Sequence, residues 1–284
     1  MTDIKIFAFA DEANYHTDGQ IAAMLRNGLN GVELRGTQFG NVSDLSLENA
    51  REIRKTLDAN GLITWSLGSP IGKIDIVRDD FKAHLDKFKR SLDIAGELDA
   101  KNMRIFSFYY PHDCDPAEFK NEVIYRLSLM CELAEPYGVE LCHENEKGIY
   151  GDIGSRCLEL VTEIPALKAI FDPANFVQSG EDTLRAWELL RPYVKYMHIK
   201  DAMLDGRVVP AGKGAGNVER IVKEFIADGG RSFTVEPHLQ VFAGLKDLER
   251  EGEESKVGEL YTYPDSDSAF DAACNAFKNI VKEC

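Results

Sequence analysis

A chain that passes eight times from a short β-branched or aromatic run into a helical stripe has few folds open to it. Parallel strands cannot be joined by a hairpin, so each needs a crossover, and a helix is the usual one. The runs fall at 4–10, 31–35, 62–68, 102–109, 139–144, 167–172, 194–199 and 231–236. Helical stripes follow at about 18–28, 46–60, 79–98, 115–137, 155–163, 181–190 and 217–227, with a last helix near the C-terminus. Their punctuation is conventional. Asp18 is the expected first N-cap, Asn27-Gly28, Asn60-Gly61 and Tyr137-Gly138 read as stops, and Asp115-Pro116 reads as a cap followed by proline at the first helical position. No Gly/Ser linker or low-complexity segment divides the alternation. One α/β domain over 1–284 is expected, a (β/α)8 TIM barrel with an insertion at about 239–263 before the last helix.

Charge and cysteine usage narrow the partners. With 33 basic against 48 acidic side chains the formal net charge is −15, which repels phosphate backbones and anionic membranes. No apolar run approaches the roughly 18 residues of a membrane span, and the first residues lack the charged and apolar regions of a signal peptide. A cytoplasmic protein with neither nucleic-acid nor membrane partners is the expectation. The six cysteines include no CxxC pair and read as free structural thiols, Cys142 among them despite its place two before Glu144.

The chemistry gathers where the later runs end. Val-Glu-Leu-Cys-His-Glu-Asn-Glu-Lys-Gly at 139–148 carries Glu144, the next run closes on Asp172, Tyr-Met-His-Ile-Lys-Asp carries His198, and Phe-Thr-Val-Glu-Pro-His carries Glu236. In a parallel barrel the C-terminal strand ends form the face on which active sites are built. If these four converge, three carboxylates share a confined site, where desolvation and repulsion are severe unless a cation resolves them. Three carboxylates with one imidazole suit Mn²⁺ first, with Mg²⁺ or Co²⁺, and admit Zn²⁺.

Other positions call for a reading of their own. Glu33 and Arg35 share one face of the second run and, if that face is the barrel interior, form an ion pair at its mouth, as a substrate-binding wall of the site or as a structural pair. Trp65 reads as packing. Tyr109, Tyr110 and His112 tip the fourth run, which makes His112 a candidate substrate contact. The loop 209–216 is rich in glycine and invites a phosphate, yet it is neither a P-loop nor a GxGxxG fingerprint, so a turn before a helix is favoured. Its Lys213 is a candidate contact to a substrate hydroxyl or phosphate. His238, two beyond Glu236, should point to the same side of an extended chain and serve as a second acid or base. The charge run 249–254 lies in the long segment 239–263, whose length suggests a lid or a subunit contact as readily as disorder.

On Glu144 within His-Glu-Asn-Glu, Asp172 within Phe-Asp-Pro-Ala-Asn, His198 within His-Ile-Lys-Asp and Glu236 within Val-Glu-Pro-His, the chain resembles the xylose-isomerase-like superfamily. That group includes sugar isomerases and epimerases, inosose dehydratase and the apurinic-site endonucleases. The resemblance implies that these four residues bind one divalent metal and that Glu144 and Glu236 also move protons. Three residues after Asp172 the ketose 3-epimerases often carry His; here the residue is Asn175. The implied activity is a metal-dependent sugar isomerase or epimerase acting by proton abstraction beside a carbonyl, through an enediolate, on a sugar or sugar phosphate. Lys147, Asn175, Lys200, Asp201 and Lys213 are the expected lining of the sugar-hydroxyl pocket. A keto-sugar dehydratase or lyase would use the same first step. A metal-dependent phosphodiesterase or a non-enzymatic sugar-binding barrel is further from the pattern. Barrels of this kind often pair, so the sequence admits a homo-oligomer.

Overall fold

The computed structural model describes residues 4–245 and 256–284. Eight parallel strands, β1 (Lys5–Ala8), β2 (Gly31–Leu34), β3 (Ile63–Leu67), β4 (Asn102–Ile105), β5 (Glu140–Glu144), β6 (Lys168–Phe171), β7 (Val194–Ile199) and β8 (Ser232–Val235), close into a barrel in sequence order, β8 pairing with β1. The helices around it are α1 (Thr17–Arg26), α2 (Leu47–Ala59), α3 (Phe81–Leu98), α4 (Lys120–Ala134), α5 (Gly154–Glu163), α6 (Pro173–Gln178), α7 (Thr183–Leu190), α8 (Val218–Ala227) and α9 (Ser266–Lys282). The fold is a single (β/α)8 TIM barrel, as the eightfold alternation requires. Among the described residues no helix is long and apolar enough to cross a membrane.

Local chemistry explains most boundaries. The Ser46 hydroxyl accepts the Asn49 N–H and starts α2, whose buried Ala50, Ile53 and Leu57 recur at helical spacing and face the sheet. Helix α1 begins one residue before Asp18, with His16 at its cap, because Gln38 accepts both the N–H and the hydroxyl of Thr17. A tertiary contact has replaced the local cap. Strand β4 stops at Ile105 and not at Tyr109, since the N–H groups of Phe106, Phe108 and Tyr109 turn to the carbonyls of Ile71, Gly72 and Ile74 in the neighbouring loop. The stretch after Asp115-Pro116 is a 3₁₀ turn, Pro116–Phe119, before α4 proper.

Alternation along each strand sorts side chains between the helix layer and the barrel interior. The lower interior is apolar: Phe7 stacks on Trp65 at 4.8 Å, and Trp65 packs on a cluster of Cys142, Ile170 and Tyr196. Burial pushes the Cys142 thiol well up, which keeps it protonated and inert. Two residues further along the same strands the interior turns polar. Glu33, Arg104, Glu144, Asp172, His198 and Glu236 are all buried there.

Candidate active site

Each of the four foreseen ligands follows from that alternation. Glu144, His198 and Glu236 stand two residues beyond Cys142, Tyr196 and Thr234, and Asp172 two beyond Ile170, so all four enter the barrel mouth. Glu144, Asp172, His198 and Glu236 each offer a ligand atom within 4.8 Å of the others. Asp172 is placed by a local device as well. It caps α6, its Oδ1 accepting the Asn175 N–H at 2.9 Å, and this leaves Oδ2 directed at the cluster.

Cations of the chain hold the group together. Lys200 Nζ lies 3.0 Å from Glu236 Oε2 and 3.2 Å from Asp172 Oδ2. Arg104 reaches Glu144 Oε2 at 3.1 Å. His198 Nδ1 is 2.8 Å from Glu144 Oε1 and 3.7 Å from Glu236 Oε2. Burial raises the Glu144 carboxyl, but His198 and Arg104 outweigh it and hold the group down at about 2. Glu236 is likewise lowered, its burial overcome by Lys200 and the two neighbouring imidazoles. Asp172 goes the other way: burial dominates the help from Lys200 and pushes it up to about 7. Burial lowers His198, yet Glu144 and Glu33 raise it to about 10.

This arrangement fits a divalent cation. Asp11, Glu12, Glu33, Glu144, Asp172 and Glu236 are buried around the mouth, against Arg35, Arg104 and Lys200 as buried permanent cations. Asp172 Oδ2, fully buried and aimed into the cluster, accepts no hydrogen bond. Its near cation is the Lys200 ammonium at 3.2 Å, and a buried carboxylate oxygen with an ion-pair neighbour but no hydrogen bond is one a metal can satisfy. Glu144, Asp172, His198 and Glu236 would hold the ion, and three carboxylates with one imidazole make a ligand set for a borderline or hard divalent metal.

The remaining foreseen positions divide. Arg35 is at the mouth, but its partners are Asp11 at 2.8 Å, Glu12 at 3.0 Å and Glu236 at 3.2 Å, in place of the expected Glu33. Glu33 points at the underside of His198. Asn175 donates to Glu144 Oε1 at 3.3 Å and to the Asn145 carbonyl at 2.9 Å, so it braces the Glu144 carboxylate. Lys200 lies inside the cluster. Asp201 is engaged elsewhere: the N–H groups of Ala202, Gly212, Gly214 and Gly216 donate to its two oxygens at 2.8–3.0 Å. The Gly-rich loop therefore cradles the chain's own carboxylate. A Cβ on Gly214 would stand 2.4 Å from both the Ala202 carbonyl and Asp201 Oδ1, so glycine is required there. Lys213 and His112 are exposed and Lys147 is half-buried, all three on loops of this face.

His238 is not in extended backbone; its φ is +43°. Its N–H donates to Glu12 Oε2 at 2.6 Å, while its Nδ1 lies 2.9 Å from Glu12 Oε1 and 3.7 Å from Glu236 Oε1. From there the described start of the long segment folds over the site, with Phe242 on the Arg35 guanidinium at 4.8 Å. A cavity of about 280 Å³ opens beside Arg35, with Tyr15, Asn41 and Phe242 in its wall. The charge run 249–254, expected as a lid, a subunit contact or disorder, lies outside the described residues.

Sequence reasoning passed over Arg104 and Phe9. Arg104 alternates inward with Phe106 on a strand read only as apolar, and a lone arginine in such a run was the available signal. Phe9 lies under both guanidiniums, 4.4 Å from Arg35 and 4.9 Å from Arg104. Gly68 makes room for it, since a Cβ there would stand 2.5 Å from the Phe9 ring.

An eight-stranded parallel barrel with a buried Glu/Asp/His/Glu group at its C-terminal strand ends has the face on which TIM-barrel active sites are built. The chain belongs to the xylose isomerase-like TIM barrel family, whose model matches residues 21–252. It is 25% identical over 183 residues to a 3-dehydroshikimate dehydratase of Bacillus anthracis, a match spanning 62% of each protein. Among solved structures the fold is similar to the IOLI protein with a binding zinc atom, with a TM-score of 0.76, 15% identity and 99% of each chain covered. It is also similar to the D-psicose 3-epimerase of Clostridium cellulolyticum H10 solved with D-tagatose, with a TM-score of 0.73, 15% identity, and 98% and 99% of the two chains covered.

Proposed function

We propose that the protein is a divalent-metal-dependent sugar isomerase or epimerase that abstracts a proton beside a carbonyl and passes through an enediolate. The observation that carries this reading is the buried convergence of Glu144, Asp172, His198 and Glu236. A divalent ion held by Glu144, Asp172, His198 and Glu236 would supply Lewis-acid polarisation of the substrate carbonyl. The chain supplies the proton chemistry. Glu144 and Glu236 are both held ionised, from β5 and from the end of β8, so either can act as base, and the carboxyl that has taken the proton can return it; return from the opposite side requires the other glutamate first to take up a proton from solvent. Arg104, His198 and Asn175 orient Glu144; Lys200 and Arg35 orient Glu236. Phe9 and Phe242 cover the Arg35 guanidinium and limit water around it.

A dehydratase is the second reading, favoured by the Bacillus anthracis relative and by Lys200. Its ammonium, beside Glu236, is placed to give a proton to a hydroxyl expelled from the carbon beyond the enediolate, so that water leaves. Multi-metal phosphodiester hydrolysis has less support. The second acidic group, Glu12, Glu236 and His238, is already bridged by Arg35, which occupies it electrostatically.

The test is solvent deuterium exchange followed by NMR on free and phosphorylated keto- and aldo-sugars with Mn²⁺ present. Wild type is expected to place deuterium at the carbon beside the carbonyl, with Glu144→Gln and Glu236→Gln each about 10³-fold slower or more, on the scale of a lost proton-transfer group. The product then distinguishes epimer, isomer and dehydrated sugar. A wild-type protein that binds no divalent metal and exchanges no substrate proton would refute the enzyme reading.

A further inference from the structure

Glu33 is fully buried directly beneath the ligand cluster, and both of its oxygens are occupied. Oε1 accepts the Tyr196 hydroxyl at 2.9 Å and the Ser66 hydroxyl at 3.3 Å. Oε2 accepts the Thr234 hydroxyl at 2.8 Å and lies 3.1 Å from His198 Nε2. These partners come from β3, β7 and β8, so the carboxylate is fixed from three strands. A bulge makes the approach possible: between β2 and β3 the register skips at Glu33, which sets Ser66 opposite it while Trp65 fills the interior below. With both oxygens engaged from within the barrel, Glu33 has no face left to offer a substrate as a site wall.

An imidazole that ligates through one nitrogen must carry its proton on the other, and the partner of that second nitrogen decides which. Here the two sides of the ring differ. Nε2 faces Glu33, while Nδ1 faces Glu144 and Glu236. We propose that Glu33 is a positioning residue that fixes His198 as the Nε2–H tautomer and so presents the Nδ1 lone pair to the metal. The inference rests on the metal-site reading above and deepens it. Tyr196, Ser66 and Thr234 lock the carboxylate in place, and the T-shaped contact of Phe9 with His198, centroids 5.1 Å apart, limits rotation of the ring.

Wild type, Glu33→Gln, Glu33→Asp and Tyr196→Phe would be titrated with Zn²⁺ against a competing chelator. Long-range ¹H–¹⁵N correlation of the histidine rings would identify the protonated nitrogen of His198 in the loaded wild type. The expected result is a proton on Nε2, zinc affinity about 10- to 100-fold weaker in Glu33→Gln, and smaller losses in Glu33→Asp and Tyr196→Phe. Melting of the metal-free proteins reports whether each variant is folded. Wild-type protein that binds zinc with the proton on Nδ1 overturns the proposal whatever the variants do. So does a folded Glu33→Gln with unchanged affinity. In both cases the metal site itself survives, whereas a wild type that binds no divalent metal removes this inference and the functional reading together.

Discussion

Two buried acidic groups stand at the mouth of this barrel, and they are held in opposite ways. Asp201 receives four backbone N–H groups on its two oxygens. Its donors are neutral, fixed and complete. Asp172 and Glu236 instead face the ammonium of Lys200, and Asp172 Oδ2 accepts no hydrogen bond at all. Burial raises both aspartates, but at Asp201 four backbone donors oppose it, whereas Asp172 reaches about 7. A carboxylate enclosed by backbone is part of the fold. One left to a flexible side-chain cation is able to exchange that cation for another, and the proposed metal site is built of such groups.

The sharpest way to break this contrast is Lys200→Met. Removing one partner of a buried ion pair leaves the other uncompensated, so the metal-free protein is expected to lose about 3–5 kcal/mol. Mn²⁺ should then restore more stability than it adds to wild type, because no ammonium competes for Asp172 and Glu236. Thermal unfolding with Mn²⁺ and with chelator measures both. An equal metal-induced shift in variant and wild type would mean that Lys200 and the metal do not share these oxygens.

How much of this could be read in advance differs between the two regions. The barrel was legible because period-two and period-3.6 hydrophobic patterns alternate along the chain, and the convergence of Glu144, Asp172, His198 and Glu236 because all four fall at the ends of strands. Asp201 and the glycines after it were visible too, but their partnership was not. Spacing alone does not distinguish a loop that binds a phosphate from one that binds the chain's own carboxylate. Glu33 was assigned to Arg35 by alternation, which gives the face of a strand and not the partner across the barrel. Helix α6 was missed although Asp172-Pro173 repeats the signature of Asp115-Pro116; Gly180 follows too closely for a helical stripe to develop. Asp11 and Glu12, just past the first run, carried no signal of their own, since their bonds to Arg35 and His238 span parts of the chain no local pattern connects.

Asp201→Asn sharpens the comparison from the other side, at a smaller scale. An amide presents one NH₂ group to N–H donors that previously met oxygen, and a buried donor left unpaired costs about 1–3 kcal/mol. The loss should appear in unfolding by urea, equally with and without Mn²⁺, since this carboxylate is not part of the cluster. A loss confined to the metal-loaded protein would place Asp201 in the site after all.

The mildest test, because it acts per unit of pH, uses the protons the cluster holds. Asp172 is raised from 3.8 to about 7, so in the metal-free protein the folded state retains a proton the unfolded chain has lost, and stability falls as pH rises through that window. His198, raised from 6.5 to about 10, extends the fall: its contribution is fully present below 6.5 and is lost as pH climbs towards 10. Glu144 has the opposite sign, contributing above 4.5 and losing that contribution as pH falls towards 2. A metal ion needs Asp172 and His198 without their protons, so its affinity must rise over the range in which metal-free stability declines. Each proton displaced steepens the metal dependence by about 1.4 kcal/mol per pH unit. Melting curves from pH 5 to 10, with Mn²⁺ and with chelator, should therefore diverge as pH increases. Parallel curves would show that the cluster surrenders no proton to the metal, and the distinction between exchangeable and enclosed carboxylates would then fail at the site where it matters most.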